Sequence, residues 1–327
     1  MVFTPGSLPN LKGRVYLVTG GNAGIGFHTA LQLATHHAKV YIGTRSKVKG
    51  EAAIQQIKNL QPDAEVYLLE IDMAQLKSVV AAAKYFCRQE RHLHGLVNNA
   101  GVMATPFEKT EDGYESQFQI NYISHWLLTY HLLPTMIETA TDTFPGVVRI
   151  VNVASNGHMN APSHGIDFQD IDQANGGPIS RYGSSKLANI LHTKELVRRY
   201  STPTARSNGN TTSVGNHVDG EIWMASLHPG MANTNLLSGA KGSLPVRVAA
   251  GLLSALTKTS LVGLSPEKAA YTQLFAVASQ DFSRDMNGAY LEPIAQVAKP
   301  SMTAENTQLA ESLWEWTENE MKMPGFI

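Results

Sequence analysis

The sequence predicts an α/β fold, a single doubly wound parallel sheet with helices on both faces. Three observations predict it. Short apolar runs alternate with stretches of helical spacing along most of the chain, the pattern of successive βαβ units. The first run, residues 15–18, passes straight into a glycine-rich turn and then a helical stretch, residues 27–34. Polar and small-residue motifs follow the apolar runs, where an open parallel sheet collects its ligands.

In chain order, a strand at 15–18 leads to a helix ending near residue 36, and a strand at 39–43 to a helix over 49–59. Residues 65–70 precede a helix over 75–88, and residues 95–98 precede one over 114–139. The strand at 147–153 is followed by a long loop and a helix over 182–200, then by a strand at 222–227. A closing helix over 304–321 sets Leu309, Leu313, Trp314 and Trp316 at helical spacing, a stripe expected to pack against the body.

The 327 residues are read as one domain, 1–327. Within it, the Ser/Thr/Asn/Gly-rich stretch 201–220 reads as a mobile surface insert and the small, apolar stretch 231–264 as a substrate lid, with Val246, Leu252, Leu253 and Leu256 facing core or substrate. A net charge of −1 gives no basic field, so nucleic acid is not an expected partner. One cysteine, Cys87, excludes an internal disulfide and suits a reducing, cytoplasmic setting; it is expected as a small buried hydrophobe. Residues 1–10 do not read as a signal peptide, and the longest apolar stretch, near 248–256, is too short to span a bilayer. Twelve histidines show no metal-ligand spacing, so no metal is expected.

The turn Thr19-Gly20-Gly21-Asn22-Ala23-Gly24-Ile25-Gly26 joins a strand to a helix N-terminus. Backbone N–H groups and the helix dipole converge there on an anion, and a Cβ is expected to keep a diphosphate off the backbone. After the second strand stands Arg45, with Lys47 and Lys49 near it, where dinucleotide folds commonly hold an acidic residue. A cation there suits a 2′-phosphate, which favours NADP(H) over NAD(H). Asp72 follows the third strand and can accept from an adenine amino group. Asn98-Asn99-Ala100-Gly101 ends the fourth, where Asn can fix loops and Ala-Gly permit close approach. Asn121 sits within a helical pattern that does not favour it, so it is either exposed or placed for a purpose.

Ser155 follows the fifth strand, and Tyr182 and Lys186 lie one helical turn apart. Tyr-x-x-x-Lys alone is expected about 0.5 times by chance in such a chain, so its weight comes from the serine and glycine turn upstream. Together these groups permit hydride transfer to or from a carbonyl carbon. A nearby ammonium can lower a phenol from its usual pKa of about 10 by roughly 1–3 units, into the range for general acid–base work. A serine hydroxyl can donate to the developing alkoxide.

Over residues 11–300 the chain resembles the short-chain dehydrogenase/reductases. Thr19-Gly20-x-x-x-Gly24-x-Gly26, Asp72, Asn98-Asn99-Ala100-Gly101, Asn121, Ser155, Tyr182-x-x-x-Lys186 and Pro229-Gly230 carry the resemblance. It is most similar to the retinol-dehydrogenase-like branch, through the glycine turn, residues 121–129, residues 182–189 and Leu227-His228-Pro229-Gly230. The resemblance implies a Rossmann domain, with Tyr182 as proton donor or acceptor. Lys186 lowers its pKa and binds the nicotinamide ribose, Ser155 steadies the substrate oxygen and Asn121 holds a relay water. It likewise implies cofactor contacts from Gly20, Asn22, Gly24, Ile25, Gly26, Arg45, Asp72, Asn99 and, for the nicotinamide amide, Thr234. The loop 158–180, with Phe168, Asp167, Asp170 and Asp172, is expected to wall the substrate pocket. Many retinol dehydrogenases carry an N-terminal membrane anchor and residues 1–10 do not read as one, so retinol itself is not the expected substrate.

The expected activity is an NADP(H)-dependent carbonyl reductase or alcohol dehydrogenase acting on a small lipophilic molecule, such as a polyketide-like or terpenoid intermediate of secondary metabolism. Two alternatives stand beside it: a C=C reductase of the same family, and a non-catalytic NADP(H)-binding sensor. A sensor needs only the glycine turn, and the Ser155, Tyr182 and Lys186 set goes beyond that. Relatives often dimerise through the helix bearing Tyr182 and Lys186, which makes a homodimer one expectation.

Overall fold

A computed structural model describes residues 2–201, 221–231 and 263–327. The six predicted runs form β1 (Val15–Thr19), β2 (Lys39–Thr44), β3 (Val66–Glu70), β4 (Gly95–Asn98), β5 (Val148–Val153) and β6 (Ile222–Leu227). Two further strands, β7 (Tyr290–Glu292) and β8 (Gln296–Ala298), extend the sheet. Each has three residues, too few to show a period-two pattern in the sequence. The order is β3-β2-β1-β4-β5-β6-β7-β8, parallel throughout except that β8 runs antiparallel to β7.

Eight α-helices are found among the described residues: α1 (Gly24–Thr35), α2 (Lys47–Leu60), α3 (Leu76–Gln89), the single turn α4 (Ser116–Phe118), α5 (Ser124–Thr141), α6 (Pro178–Tyr200), α7 (Pro266–Ala278) and α8 (Thr307–Lys322). The predicted helix over 114–139 is broken by a π turn, Gln119–Ile123, which contains Asn121. Helix α7 has no counterpart in the sequence reading. It is small-residue-rich and buried on nearly every side from Ala269 to Ala278, so it shows no amphipathic stripe. Its start is locally encoded, with Ser265 accepting from the Lys268 N–H and Pro266 in the first turn.

Period-two alternation along the strands divides the core into two layers. Val15 and Leu17 of β1, Leu96 of β4 and Val148 and Ile150 of β5 point to the face covered by α3, α5, α6 and α8. Tyr16, Val18, Val97, Val151 and Val153 point to the face covered by α1, α2 and α7. Both faces are thus dry, which is why these strands read as unbroken apolar runs.

Three expectations need amendment or fall outside these residues. Cys87 is exposed on α3, its Sγ 3.5 Å from Thr135 Oγ1, because it lies off the apolar stripe of that helix. Most of the insert at 201–220 and of the lid at 231–264, including Thr234, Val246, Leu252, Leu253 and Leu256, lies outside the described residues. Helix α8 packs as expected. Trp314 meets Trp126 of α5 edge-on at 5.1 Å, lies under the Arg199 guanidinium at 4.8 Å, and is 3% exposed. Trp314→Ala is expected to cost about 3–5 kcal/mol in urea unfolding, the usual loss for a buried Trp; a change below about 1 kcal/mol would remove α8 from the cooperative core.

Candidate active site

A cavity of about 820 Å³ runs along the carboxyl ends of β1 to β6 and reaches from Arg45 to Tyr182. It opens where β1 and β4 lie side by side while α1 goes to one face of the sheet and α5 to the other. That is the reversal of strand order at which such sheets bind ligands. Gly20, Asn22, Gly24, Ile25, Gly26, Arg45, Asp72, Asn99, Ser155, Tyr182 and Lys186 all line it. Asn121 does not.

The glycines at the floor answer first to the chain itself. Gly20 and Gly24 hold φ of +65° and +55°, which L side chains rarely adopt. A Cβ on Gly26 would lie 2.5 Å from both Asn99 Nδ2 and the Gly20 carbonyl oxygen. At Gly26 close packing against Asn99 and Gly20 thus already excludes a side chain, and at Gly20 the positive φ disfavours one, before any diphosphate is considered. Helix α1 begins at Gly24 after Ala23, which has no side chain to cap it. Its first-turn N–H groups have no partner within the helix and stand where the turn meets the cavity.

The floor is tied down by buried polar groups. Asn99 Nδ2 donates to the Thr19 carbonyl at 2.8 Å, and Asn99 Oδ1 accepts from Gln273 Nε2 at 2.9 Å. Gln273, on α7, accepts in turn from Thr29 of α1 at 2.8 Å. Nothing in the local sequence marks Gln273 for this, since its partners lie far away in the chain. Asn98 faces elsewhere, joining β4 to Asn152 of β5 and Thr129 of α5 at 2.8 and 3.0 Å. At the far mouth Arg45 is exposed and takes part in none of the ion pairs among the described residues. Asp72 Oδ1 accepts from the Ala74 N–H at 2.9 Å, which orients its carboxylate at the cavity edge.

At the other end, Ser155 caps a 3₁₀ turn, Asn156–Asn160, its Oγ accepting from the Gly157 N–H at 3.0 Å. Gly157 is a residue the sequence did not single out. A Cβ there would lie 2.8 Å from the Tyr182 ring, so only glycine lets the phenol come this close to Ser155. Gly183 plays the same part for the helix, where a Cβ would sit 2.6 Å from the Ala161 nitrogen. Asn121 is wholly buried in its π turn. Its amide accepts from the Val102 N–H (2.8 Å) and donates to the Val102 carbonyl (3.0 Å) and Ser185 Oγ (2.9 Å). It is thus placed for a purpose, that of fixing the loop after β4 to α6.

The electrostatics of the pair differ from the sequence expectation. Burial pushes the Tyr182 phenol up to about 12, which the Ser155 hydroxyl only partly offsets, and burial pulls the Lys186 ammonium down to about 7. Lys186 Nζ donates to the Val153 carbonyl at 2.7 Å and lies 5.8 Å from the Tyr182 ring centre. Desolvation therefore outweighs the charge–phenol attraction in the protein alone. Of residues 158–180, Asn160 in the 3₁₀ turn and Ile179 at the start of α6 reach the wall. Phe168 instead packs near Trp316 at 6.4 Å, and Asp172 pairs with Lys109.

A family profile described as short chain dehydrogenase matches residues 14–167. Over 320 residues the chain is 46% identical to the short-chain dehydrogenase/reductase drtF of Aspergillus calidoustus, spanning 97% of this chain and 96% of that one. It is 35% identical over 305 residues to retinol dehydrogenase 11 of Mus musculus, spanning 93% and 85%. Among solved structures, an uncharacterized protein of Mycobacterium paratuberculosis superposes with a TM-score of 0.71 and 28% identity over 98% of each chain.

The depressed Lys186 has a measurable consequence. Below about pH 7 folded and unfolded chains both hold its proton, and the folded state bears the desolvation cost; between about 7 and 10.5 only the unfolded chain holds it, so stability rises with pH. Lys186→Met is expected to exceed the wild type in stability by ~2–4 kcal/mol near pH 6, with the gap narrowing towards pH 10. Urea unfolding at both ends of that range measures it, and a gap independent of pH would contradict the assignment.

Proposed function

The chain belongs to the short-chain dehydrogenase/reductase family, on its retinol-dehydrogenase-like branch, and from that premise we propose that it is an NADP(H)-dependent reductase of a lipophilic ketone or aldehyde. The observation that carries this reading is that a glycine turn and Arg45 share one continuous cavity with Ser155, Tyr182 and Lys186. The residues suit a dinucleotide along its length. Unpaired N–H groups of α1 would face a diphosphate, Asp72 and Asn99 the adenosine side, and Lys186 the nicotinamide ribose, all of these residues lining the cavity. Arg45, exposed and without a carboxylate partner, suits the 2′-phosphate of NADP(H). Thr234, for the amide, completes the proposed set.

Bound there, the reduced nicotinamide supplies a hydride to the carbonyl carbon. The protein's own task is the proton. With its pKa near 12, Tyr182 stays protonated through the neutral range and can deliver its O–H proton to the carbonyl oxygen as the C–H bond forms. Oxidation of an alcohol needs the same phenol deprotonated, which burial opposes, so the reading favours reduction. Ser155 Oγ accepts from the Gly157 N–H at 3.0 Å, and its hydroxyl hydrogen, given to Asn156 Oδ1 over a long 3.4 Å in the protein alone, can turn to the substrate oxygen. Lys186 is held by Val153, and Asn121 steadies the loop and helix around it and is the proposed anchor of a relay water.

The lipophilic substrate class is supported by the cavity rim, where Ile179 and Met231 present 41% and 43% of their surfaces. A polyketide-like or terpenoid ketone of secondary metabolism fits such a rim. Among the described residues no helix is long and apolar enough to cross a membrane. With one cysteine in the chain, a reducing, cytoplasmic setting is the proposed location.

NADPH is expected to bind at least about tenfold more tightly than NADH, the worth of one charge-assisted hydrogen bond, and Arg45→Glu is expected to erase the difference. Fluorescence titration measures both, and equal wild-type affinities would remove the 2′-phosphate role. Tyr182→Phe is expected to lower kcat by about 10²–10⁴-fold with NADPH affinity nearly unchanged. Following NADPH consumption with a panel of hydrophobic carbonyls tests this, and a Phe variant with wild-type turnover would end the proton-donor assignment.

A further inference from the structure

His125 takes no part in that chemistry, yet it stands between its two halves. It lies in the first turn of α5, 1% exposed. Its Nδ1 is 3.0 Å from the Asn121 carbonyl oxygen and its Nε2 is 2.8 Å from Thr19 Oγ1. A carbonyl can only accept, so Nδ1 carries the hydrogen. Burial, with the Lys186 charge adding to it, holds the ring pKa down at about 3, so the ring is neutral and Nε2 is an acceptor.

The Thr19 hydroxyl must then give its one proton to Nε2. Its lone pairs are left for the Asn99 and Ala100 N–H groups, each 2.9 Å away. The Val97 carbonyl, at 3.4 Å, is the only other acceptor within reach among the described residues. At one end of this chain of bonds is the cavity floor that carries Asn99 and Ala100. At its other end is the π turn whose Asn121 amide grips Val102 and Ser185, on the helix of Tyr182 and Lys186.

We propose that His125 is a positioning residue, its Nδ1–H tautomer locking the Thr19 hydroxyl, and through it the Asn99–Ala100 floor, to the turn that carries Asn121. The inference rests on reading this cavity as a nicotinamide site. A rigid ring with a donor on one edge and an acceptor on the other spans the gap; Gln reaches only the Nε2 position and Asn only the Nδ1 position. Without the acceptor, Thr19 can turn to Val97, and the floor loses its fixed register with the catalytic helix.

His125→Phe keeps the ring and removes both nitrogens. It is expected to raise the KM and Kd for NADPH by about tenfold while kcat falls by less than about threefold, the pattern of lost positioning rather than lost chemistry. His125→Gln, which returns an acceptor to Thr19, is expected to recover NADPH affinity to within about threefold of wild type, and His125→Asn is not. Thermal unfolding of each variant accompanies the titrations, since a merely structural loss would not separate Gln from Asn. Equal affinities for the Gln and Asn variants, or a folded Phe variant that binds NADPH within about twofold of wild type, would overturn the proposal. Independently of any variant, ¹H–¹⁵N correlation of the ring nitrogens in the wild-type protein reads the tautomer. A hydrogen on Nε2 would overturn this assignment with the enzyme reading intact, whereas failure of the wild type to bind any nicotinamide would overturn the enzyme reading itself.

Discussion

Two neighbouring parallel strands that send their chains to opposite faces of the sheet set up everything else in this protein. β1 and β4 pair directly through Tyr16 with Gly95, Leu17 with Leu96 and Val18 with Val97. Beyond that register, α1 goes to one face and the α4–α5 segment to the other, which leaves a fork between them. The resulting crevice gathers groups from six strand ends into one line. The fork also exposes polar backbone in a dry setting, which needs partners. Thr19, at the end of β1, meets that need for the chain leaving β4.

Burial governs the chemistry at the inner end. In water a phenol and an ammonium would each lie near its ordinary value; here both are shifted towards their neutral forms. A phenol that keeps its proton at neutral pH is a donor in waiting. An amine near neutrality can change charge at modest cost when an anionic or hydroxyl-bearing partner arrives. The fold holds such groups in place with carbonyls rather than with counter-charges: Val153 accepts from both Lys186 and Asn189. An acidic partner would have fixed the lysine in its charged form.

The floor of the cavity is built with the opposite economy, from neutral groups that hydrogen-bond to one another. Asn99 spans Thr19 and Gln273, and Gln273 spans Asn99 and Thr29. Such networks confer a single arrangement because any rotated member leaves a buried donor or acceptor unmet. Glycines complete the effect: Gly26 and Gly157 let backbone and ring approach to distances that a Cβ would forbid. The outer mouth, by contrast, carries an exposed arginine, Arg45.

The alternation of apolar runs with helical stretches determined six strands of the sheet and placed β1 to β6 to within about a residue of their observed ends, most of them apolar along their length because both faces are buried. Motif spacing marked the glycine turn, Arg45, Asp72, Asn99 and Ser155, which follow strand ends that converge in a parallel sheet, and the Tyr182–Lys186 pair one helical turn apart, and all of these line the cavity. Helix α7 and strands β7 and β8 were not legible, being too uniformly buried or too short to carry a period. Nor were the directions of the Tyr182 and Lys186 shifts, the packing reason for Gly26 and Gly157, or the parts played by Gln273 and His125. Those depend on what lies across the fold, as far as Asn99 from Gln273 or Thr19 from His125, and desolvation and tautomer are properties of an enclosure rather than of a stretch of chain.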